Sequence, residues 1–289
     1  MQAIELIKNT YKNAIEYRTI PSQLRGVMLL FGVLTSGLVL KGGWDFYSEI
    51  IDRDGQVGTF FYVLFSIIAL MGLCGLLLLL LTIRLELFRP IDEPVLFDRL
   101  NRKVYLIARA VEPGWRGLFK PWPVRAYEYD WNLIDAEYQL TISTTGSTVT
   151  TWHTLLFIVR CSASDHRTIG SFNVANPVLL SESTVGAFWE HIRRFMEEDG
   201  PHLPPGETKT YLEVPASLWQ SMGTVGPFGP NYVHWWKNHP FYNFVIHLFI
   251  PFTLPVFVAW GIMNWLSYLT ATDVQWPHEV EAAVGPACQ

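Results

Sequence analysis

One uninterrupted apolar stretch constrains this chain more than any other feature. Residues 59–83 read TFFYVLFSIIALMGLCGLLLLLLTI and contain no Asp, Glu, Lys, Arg or His. At a rise of about 1.5 Å per residue, a helix of this length spans a hydrocarbon core of roughly 30 Å. Lipid accepts such a helix because its backbone polar groups are paired internally, whereas a long helix of a soluble protein rarely lacks a polar face. We therefore predict a transmembrane helix over residues 59–83.

Two further apolar segments predict two more spans. Residues 26–43 contain VMLLFGVLTSGLVL, and this run is extended by a lysine and a tryptophan that suit the membrane interface. Residues 241–269 carry no formal charge but include His247, Pro251 and Pro255. Each proline removes a backbone donor, so this third helix is predicted to be kinked. His247 lies a few residues from the end of the span, which favours packing or snorkelling over a proton relay.

Basic residues beside the spans predict their orientation. The loop 44–58 holds Arg53 among four acidic residues, and the tail 270–289 has no Lys or Arg. The segments before the first span and after the second are basic, through Lys8, Lys12, Arg18, Arg25, Arg84, Arg89, Arg99, Arg102 and Lys103. Under the positive-inside rule the N-terminus and residues 84–240 are cytoplasmic, while the loop 44–58 and the tail are periplasmic.

Residues 1–25 are predicted to form an amphipathic helix. Ile4, Ile7, Tyr11 and Ile15 recur at helical spacing, and basic side chains lie off that stripe. A helix lying in the cytoplasmic interface and a helix docked on the soluble domain explain the pattern equally well. The first apolar run, which follows these residues, lacks a signal-peptide cleavage pattern, so we expect residues 1–25 to be retained.

The segment 84–200 has the composition of a β-rich cytoplasmic domain. VLFDRLNRKVYLI predicts a hairpin, and further strand-like runs follow it, separated by turn-forming residues. SESTVGAFWEHIRRFMEEDG then predicts a helix over 183–199 with one apolar face. Several strands followed by one C-terminal helix predict an α+β domain with the layout of a pleckstrin-homology-like barrel. A sheet covered by one helix would give the same order of strands and helix along the chain. Residues 201–240 are a connector rich in Pro, Gly and aromatic residues.

The chain offers little that points to catalysis. No phosphate-binding glycine loop, HExxH or GxSxG motif occurs, and Cys74, Cys161 and Cys288 show no metal or redox spacing. The sequence therefore predicts no catalytic residue, no cofactor and no metal. A membrane enzyme using His153, Asp165 or His166 is a third and weaker hypothesis, because Asp165 is better explained as a turn former.

Aromatic and basic side chains supply the candidate binding residues. Aromatic residues dominate interface energetics, and Arg193 and Arg194 could contact lipid headgroups. The alternatives are that the aromatic side chains pack on the domain or the bilayer, and that the arginines pair with neighbouring glutamates. The aromatic candidates for partner contact are Trp115, Phe119, Trp122, Trp219 and Phe228.

The order of these segments resembles a known family. Two N-terminal spans, the exit RPIDEPVLFDRLNRKVY, the element YDWNLIDAEY, a Trp-containing helix and a last span are similar to a family of uncharacterised bacterial inner-membrane proteins. Members are encoded beside antibacterial type VI secretion effectors and are proposed to be their immunity proteins. The resemblance implies a multi-pass protein of the inner membrane that binds and neutralises a toxin acting there.

The partners expected on this hypothesis are membrane lipid and a cognate toxin, with no nucleic acid. The alternative function is a membrane-anchored adaptor or lipid-sensing protein with a pleckstrin-homology-like cytoplasmic domain. The sequence makes no prediction of the oligomeric state.

Overall fold

A mixed α+β domain and a group of long apolar helices make up the computed structural model. It describes residues 3, 6–19, 25–52, 59–110, 112, 114, 116–119, 122–145, 148–175, 180–209, 214–230 and 232–288. The strands are β1 (Ile7–Tyr11), β2 (Ala14–Tyr17), β3 (Val95–Asp98), β4 (Lys103–Arg109), β5 (Val124–Asp130), β6 (Ile134–Thr145), β7 (Thr148–Arg160), β8 (Thr168–Asn173) and β9 (Ala287–Cys288). The helices are α1 (Val27–Asp52), α2 (Thr59–Glu86), α3 (Arg116–Phe119), α4 (Glu182–Glu197), α5 (Leu218–Val225), α6 (Tyr232–Asn238), α7 (Pro240–Leu248), α8 (Ile250–Leu269) and α9 (His278–Val284).

The strands form two antiparallel sheets. The larger has the order β5-β4-β3-β2-β1-β9, and the smaller has the order β6-β7-β8. β3 and β4 form the hairpin predicted from VLFDRLNRKVYLI, with Asp98 paired to Lys103 across the turn. The Asp98 carboxylate accepts hydrogen bonds from the backbone of Leu100 and Asn101, which fixes this turn. The described strands do not join into one closed barrel.

The predicted N-terminal amphipathic helix is wrong for residues 7–17, which form the hairpin β1–β2. β2 pairs with β3, so that Ile15 lies opposite Phe97. All four β2 side chains are buried, since Ile15 and Tyr17 face the core, whereas Ala14 packs beneath the C-terminal segment. A strand covered on both faces loses the alternation of apolar and polar residues that would reveal it in sequence.

Helix α4 covers one side of the domain core, where a helix over 183–199 was expected. It begins after Ser181, whose side chain accepts a hydrogen bond from Thr184 N. Its apolar stripe meets both sheets through Phe188, which is fully buried among other aromatic rings. The core that α4 closes includes Tyr17, Phe97, Leu106, Phe157, Val159, Phe172, Ile192 and Phe195.

Within the described residues, three helices are long and apolar enough to cross a membrane: Val27–Glu49 within α1, Tyr62–Glu86 within α2, and α8. The first is longer than the predicted 26–43, because α1 continues to Asp52. α1 and α2 pack through small residues, and Ser36 Oγ donates to Gly75 O at 2.7 Å. Small residues at such contacts let two helix backbones approach closely.

The predicted single kinked helix over 241–269 is two helices in the structure. α7 ends at Leu248, and α8 begins at Ile250 with Pro251 in its first turn. Proline lacks a backbone donor and disfavours helical geometry in the residue before it, which explains the break at this point. Pro255 lies inside α8 without ending it.

Arg25 ties the helices to the domain. Its guanidinium, of which 1% is exposed, lies where α1 begins and where α2 and α8 end. It donates to Ser267 Oγ at 2.9 Å, to Pro90 O at 2.9 Å and to Arg89 O at 2.8 Å. The next residue, Gly26, has φ +86° and could not carry a Cβ, which would lie 2.5 Å from Asn264 N.

The prediction that the tail lies across the membrane from the N-terminus is also wrong, because the tail belongs to the domain. β9 pairs with β1, the N-terminal strand, through Thr10 and Cys288. Trp276 Nε1 donates to Glu16 Oε1 at 3.2 Å, and Val280 packs with Leu96 and Tyr105. Hydrogen-bonded strands of one sheet lie on one side of a membrane, so an N-in, C-out arrangement is excluded. The positive-inside rule failed here because a segment without Lys or Arg carries no signal that fixes its side.

The segment before α8 begins on the same side of the helices as the side on which α8 ends. The end of α8 lies at the domain, where Ser267 Oγ donates to Glu86 O. The connector also begins there, since Lys209 Nζ donates to Cys288 O at 2.6 Å. If α8 spans the membrane, residues 214–249 have to carry the chain to the far side. The short helices α5, α6 and α7 are then a broken crossing, in which α5 packs on α8 with Met222 beside Gly261.

Candidate functional site

The β6–β7 hairpin carries an apolar face that continues beyond the core. β6 alternates strictly, with Ile134, Ala136, Tyr138, Leu140 and Ile142 on one face. Cross-strand partners share a face, and the β7 side of this face begins with Val159 and Phe157 in the core. It continues through His153 and Thr151, opposite Leu140 and Ile142, to Val149, opposite Thr144 near the hairpin turn. The core covers the first half of the row. The second half is uncovered, with exposed fractions of 49% for Tyr138, 48% for Leu140, 60% for Ile142 and 65% for Val149.

We call the four residues Tyr138, Leu140, Ile142 and Val149 the β6–β7 face. The opposite side of the same strand is polar, through Glu137, Gln139, Thr141 and Ser143. The opposite side of β7 carries Trp152, Leu156 and Ile158, so the contrast between an apolar and a polar side belongs to β6. An alternating strand normally places its apolar side against a core. Contiguous exposed apolar surface on a folded domain marks a binding region.

A groove joins this face to helix α4. It is a cavity of about 330 Å³ between β6, β7 and α4, lined by apolar surface from Ala136, Tyr138, Leu155, Val185 and Trp189. Glu182 is the charged residue at its edge. Volumes of about 300 Å³ and above are typical of pockets that bury a ligand group. The groove can therefore hold one apolar side chain that reaches in from a partner on the β6–β7 face.

The edge of the small sheet is a second binding feature. Among the described strands, β6 has a neighbour on one side alone, because the sheet order is β6-β7-β8. An edge strand presents backbone N–H and C=O groups that can pair with a strand from another chain. His153 lies on this face opposite Leu140, with its Nδ1 2.7 Å from the Tyr138 hydroxyl.

The aromatic residues predicted as anchors do not form one surface in the described structure. Trp219 on α5 is 60% exposed. Phe228 is 8% exposed and packs with Met222 and Ile246, so it is not available to a partner. Trp122 is half-buried, and its Nε1 donates to Gly117 O at 3.0 Å. Trp115 and the side chain of Phe119 lie outside the described residues.

The predicted basic residues are paired with carboxylates of their own helix. Arg193 contacts Glu190, Glu197 and Glu198, and Arg194 contacts Glu190. Hydrogen bonds from the two arginines lower the pKa of Glu190 to about 2. This arrangement favours the solvated, salt-bridged face that was the alternative to lipid contact.

The residues of the enzyme hypothesis lie on different elements, with His153 on β7 and Asp165 and His166 in the loop that follows it. Asp165 pairs with Arg167 at 2.6 Å in the loop between β7 and β8, and this pairing lowers the pKa of its carboxyl. His153 lies on β7 and contacts Tyr138 instead. Within the described ranges, no cluster of His, Cys, Asp or Glu is arranged to hold a metal ion.

One histidine of helix α4 lies on its buried side. His191 is fully buried between α4 and β2. Its Nε2 donates to Pro201 O at 3.2 Å, so its Nδ1 accepts from the Tyr17 hydroxyl at 2.8 Å. Burial lowers the pKa of His191 and raises that of Tyr17, so both are neutral at pH 7. The pair bonds α4 to the N-terminal hairpin, which is a structural role.

His247 on α7 also has partners for both ring nitrogens. Its Nδ1 is 2.7 Å from Asn243 O, and its Nε2 is 3.2 Å from the Tyr232 hydroxyl. The ring contacts Phe228 and Trp236. These contacts favour the packing role expected from the sequence.

The β6–β7 face was missed by the sequence analysis, although its signal is present. LIDAEYQLTIS was interpreted as a strand, but its apolar row is longer than a domain core requires. Comparing the length of this apolar row with the length of the predicted helix α4 would have shown that the row extends beyond the helix. A helix of 16 residues is about 24 Å long, whereas strands of 12 and 13 residues extend about 40 Å.

These features define a class: an α+β domain, built from both ends of the chain, attached to three helices that could cross a membrane. The chain belongs to the family of unknown function DUF6708, whose model matches residues 73–285. That match covers the second half of α2, strands β3 to β8 and helices α3 to α9. No curated protein and no solved structure matches the chain.

Proposed function

We propose that this chain is a membrane-embedded immunity protein that binds and neutralises a cognate antibacterial toxin at the inner membrane. The observation that carries the proposal is the uncovered β6–β7 face beside a free strand edge. The toxin as partner rests on the family resemblance described for the sequence. The face supplies what such a protein needs, which is a surface able to hold another protein.

A protein suits this surface better than lipid does. The edge strand β6 offers backbone donors and acceptors at regular spacing, and a strand of a partner can pair with them, whereas lipid tails cannot. The apolar groove beside Trp189 can take an anchoring side chain. Interfaces of this kind gain affinity from the main chain and specificity from such pockets.

The domain is assigned to the cytoplasmic side as part of the proposal. The segments joining α1 and α2 to the domain carry most of the basic residues near the spans, including Arg18, Arg84 and Arg89. The loop between the two helices has Arg53 among four acidic residues. The positive-inside rule therefore still supports this side when the tail, which has no Lys or Arg, is left out. The two sheets followed by a closing helix also favour a relationship to pleckstrin-homology-like domains.

The test is protection of cells from their toxin-secreting sisters. A strain lacking this gene is grown in contact with wild-type sister cells and complemented with the wild-type chain or with a variant. Ile142→Lys places a charge on the β6–β7 face, while Ser143→Lys places the same charge on the polar side of the same strand. We expect Ser143→Lys to protect and Ile142→Lys to fail, with equal amounts of both in the membrane fraction.

Two results would overturn the proposal. If loss of the gene is harmless beside secreting sisters, or equally harmful beside sisters that lack the neighbouring toxin gene, the protein has no immunity function. If both variants protect equally, the β6–β7 face is not the toxin-binding surface. Thermal unfolding of each variant in detergent shows whether the fold is retained.

A further inference from the structure

A second cavity lies where the domain meets the membrane helices, away from the β6–β7 face. Its volume is about 200 Å³, and its polar lining consists of Lys8, Arg18, Asp92 and Asp273. The cavity lies directly after the ends of two helices, since Ile91 N donates to Thr272 O at 3.1 Å. It is smaller than the roughly 300–1,000 Å³ of a pocket for a drug-sized ligand, and it suits a small polar group.

Asp92 is the most unusual residue of this lining. It is 6% exposed, and neither carboxylate oxygen has a hydrogen-bond partner of good geometry in the described part of the chain. Burial raises the pKa of Asp92, while Lys8, Arg18 and the Thr19 N–H oppose that rise. A buried carboxylate whose hydrogen bonds are poorly formed is costly unless a cation from outside the chain completes it.

Arg18 carries the opposite charge and also has polar atoms without hydrogen-bond partners in the described structure. Its Nε and Nη1 atoms are buried and form no hydrogen bond with the described residues. Burial lowers the pKa of Arg18, and the nearby carboxylates of Asp92 and Glu16 raise it. No ion pair within 4.0 Å joins Arg18 to Asp92 among the described contacts. The two groups thus face one cavity with opposite charges and free bonding capacity.

The charges of the lining select the kind of ligand. Two cations and two carboxylates line the cavity, so a ligand without net charge leaves the net charge of the cavity at zero. A simple anion would satisfy Arg18 and leave Asp92 unpaired, and a simple cation would do the reverse. A zwitterion that carries a phosphate and a primary ammonium satisfies both. A quaternary ammonium has no N–H donors and is usually held by aromatic rings, which the described lining lacks.

We propose that this cavity binds the phosphoethanolamine headgroup of a membrane phospholipid. Arg18 and Lys8 hold the phosphate, and Asp92, with Asp273 at the rim, holds the ammonium. Lys8 keeps donors for this role, because its bond to Glu16 Oε1 at 2.9 Å uses one of three. The position beside the ends of α2 and α8 allows the acyl chains to remain in the bilayer.

The experiment measures which lipid the full chain retains in detergent. Protein stripped of lipid is incubated with equal amounts of phosphatidylethanolamine, phosphatidylcholine and phosphatidylglycerol, washed, and analysed by mass spectrometry. We expect phosphatidylethanolamine to exceed each of the others by about tenfold, the effect of one charge-assisted hydrogen bond. Asp92→Asn and Arg18→Gln should each reduce that enrichment by about tenfold. Asp165→Asn and Arg167→Gln, at an exposed ion pair elsewhere, should leave it unchanged.

Stability of the lipid-free protein separates a ligand site from an internal ion pair. If Asp92 and Arg18 stabilise each other directly, Asp92→Asn lowers the unfolding temperature of lipid-free protein and leaves lipid retention unchanged, which overturns the proposal. If they form a ligand site, Asp92→Asn removes a buried unpaired charge, so the lipid-free variant is at least as stable as wild type. Arg18→Lys, which retains the charge, serves if Arg18→Gln does not fold.

A soluble compound distinguishes the source of the headgroup. Glycerophosphoethanolamine added to lipid-free protein should raise the unfolding temperature less than the lipid does. A shift with the soluble compound and none with the lipid would overturn the lipid as the ligand. Retention of the three lipids in the supplied proportions would overturn the headgroup site itself.

Discussion

Replacement of Arg25 by methionine should separate the membrane helices from the domain. The side chain is 1% exposed and bonds to backbone or hydroxyl oxygens in the segment between α2 and β3 and at the end of α8. It also lies 4.6 Å from the centroid of the Tyr268 ring. Methionine fills much of the volume but donates nothing, so several buried oxygens lose their partner. Burial lowers the pKa of Arg25 to about 10, so the guanidinium is charged at pH 7.

The size of the effect follows from those bonds. A hydrogen bond from a charged group contributes about 1.5–3 kcal/mol, but bonds that share one side chain do not add fully. Substitutions seldom cost more than about 4–5 kcal/mol. We therefore expect Arg25→Met to lower the free energy of unfolding by about 3–4 kcal/mol, and the unfolding temperature by roughly 10 °C. Arg25→Lys keeps a charge and fewer donors, and should lose about half as much.

The assay is thermal unfolding of the full chain in detergent, combined with limited proteolysis. Cleavage between the end of α2 and β3 should become faster in Arg25→Met, because the backbone of Arg89 and Pro90 loses its donor. Arg125→Met is the matched control, since Arg125 is exposed on the edge strand β5. The reasoning is refuted if Arg25→Met shifts the unfolding temperature no more than Arg125→Met does.

Three further predictions test other parts of the fold. The pKa of His191 is lowered from 6.5, so the unfolded chain binds the proton first as pH falls, and stability should decrease below about pH 6.5. Unfolding temperatures measured across this range should fall less for His191→Gln than for wild type, and equal slopes would contradict the assignment. Gly26→Ala combines a positive φ with a Cβ 2.5 Å from Asn264 N and should lower the unfolding temperature, whereas Gly37→Ala, in open space within α1, should leave it unchanged or raise it. Trp276→Phe removes the bond to Glu16 and should cost about 1 kcal/mol, measured as faster proteolysis of the C-terminal segment than in wild type.

The coarse architecture could be predicted because its signals are local. The apolar stretch of α2 can be recognised as a spanning helix from the sequence alone, since every backbone group is paired within the helix. The turn around Asp98 and the apolar stripe of α4 are local in the same sense. The proline rule also predicted a distortion near Pro251, although it did not tell a kink from the complete break at Phe249.

The candidate sites were much less predictable, because they join residues that are far apart in sequence. Arg18 and Asp92 were visible as basic and acidic residues beside spans, but nothing in the sequence places them around one cavity. Arg193 and Arg194 were weighed as lipid contacts, and their pairing with Glu190 was the stated alternative. The β6–β7 face was present as an alternating row, yet its exposure depends on where α4 ends.

The sequence by itself determined that this chain has three apolar helices and an α+β domain, because helix formation and burial in lipid depend on neighbouring residues. Tertiary structure alone decided that β1, β2 and β9 complete the sheet of that domain. A strand of two to five residues is too short for its sequence pattern to predict which strands it pairs with. Its partners are fixed by hydrogen bonds to strands that are distant in sequence. That pairing brings both ends of the described chain to one side of the helices, which charge counting could not show.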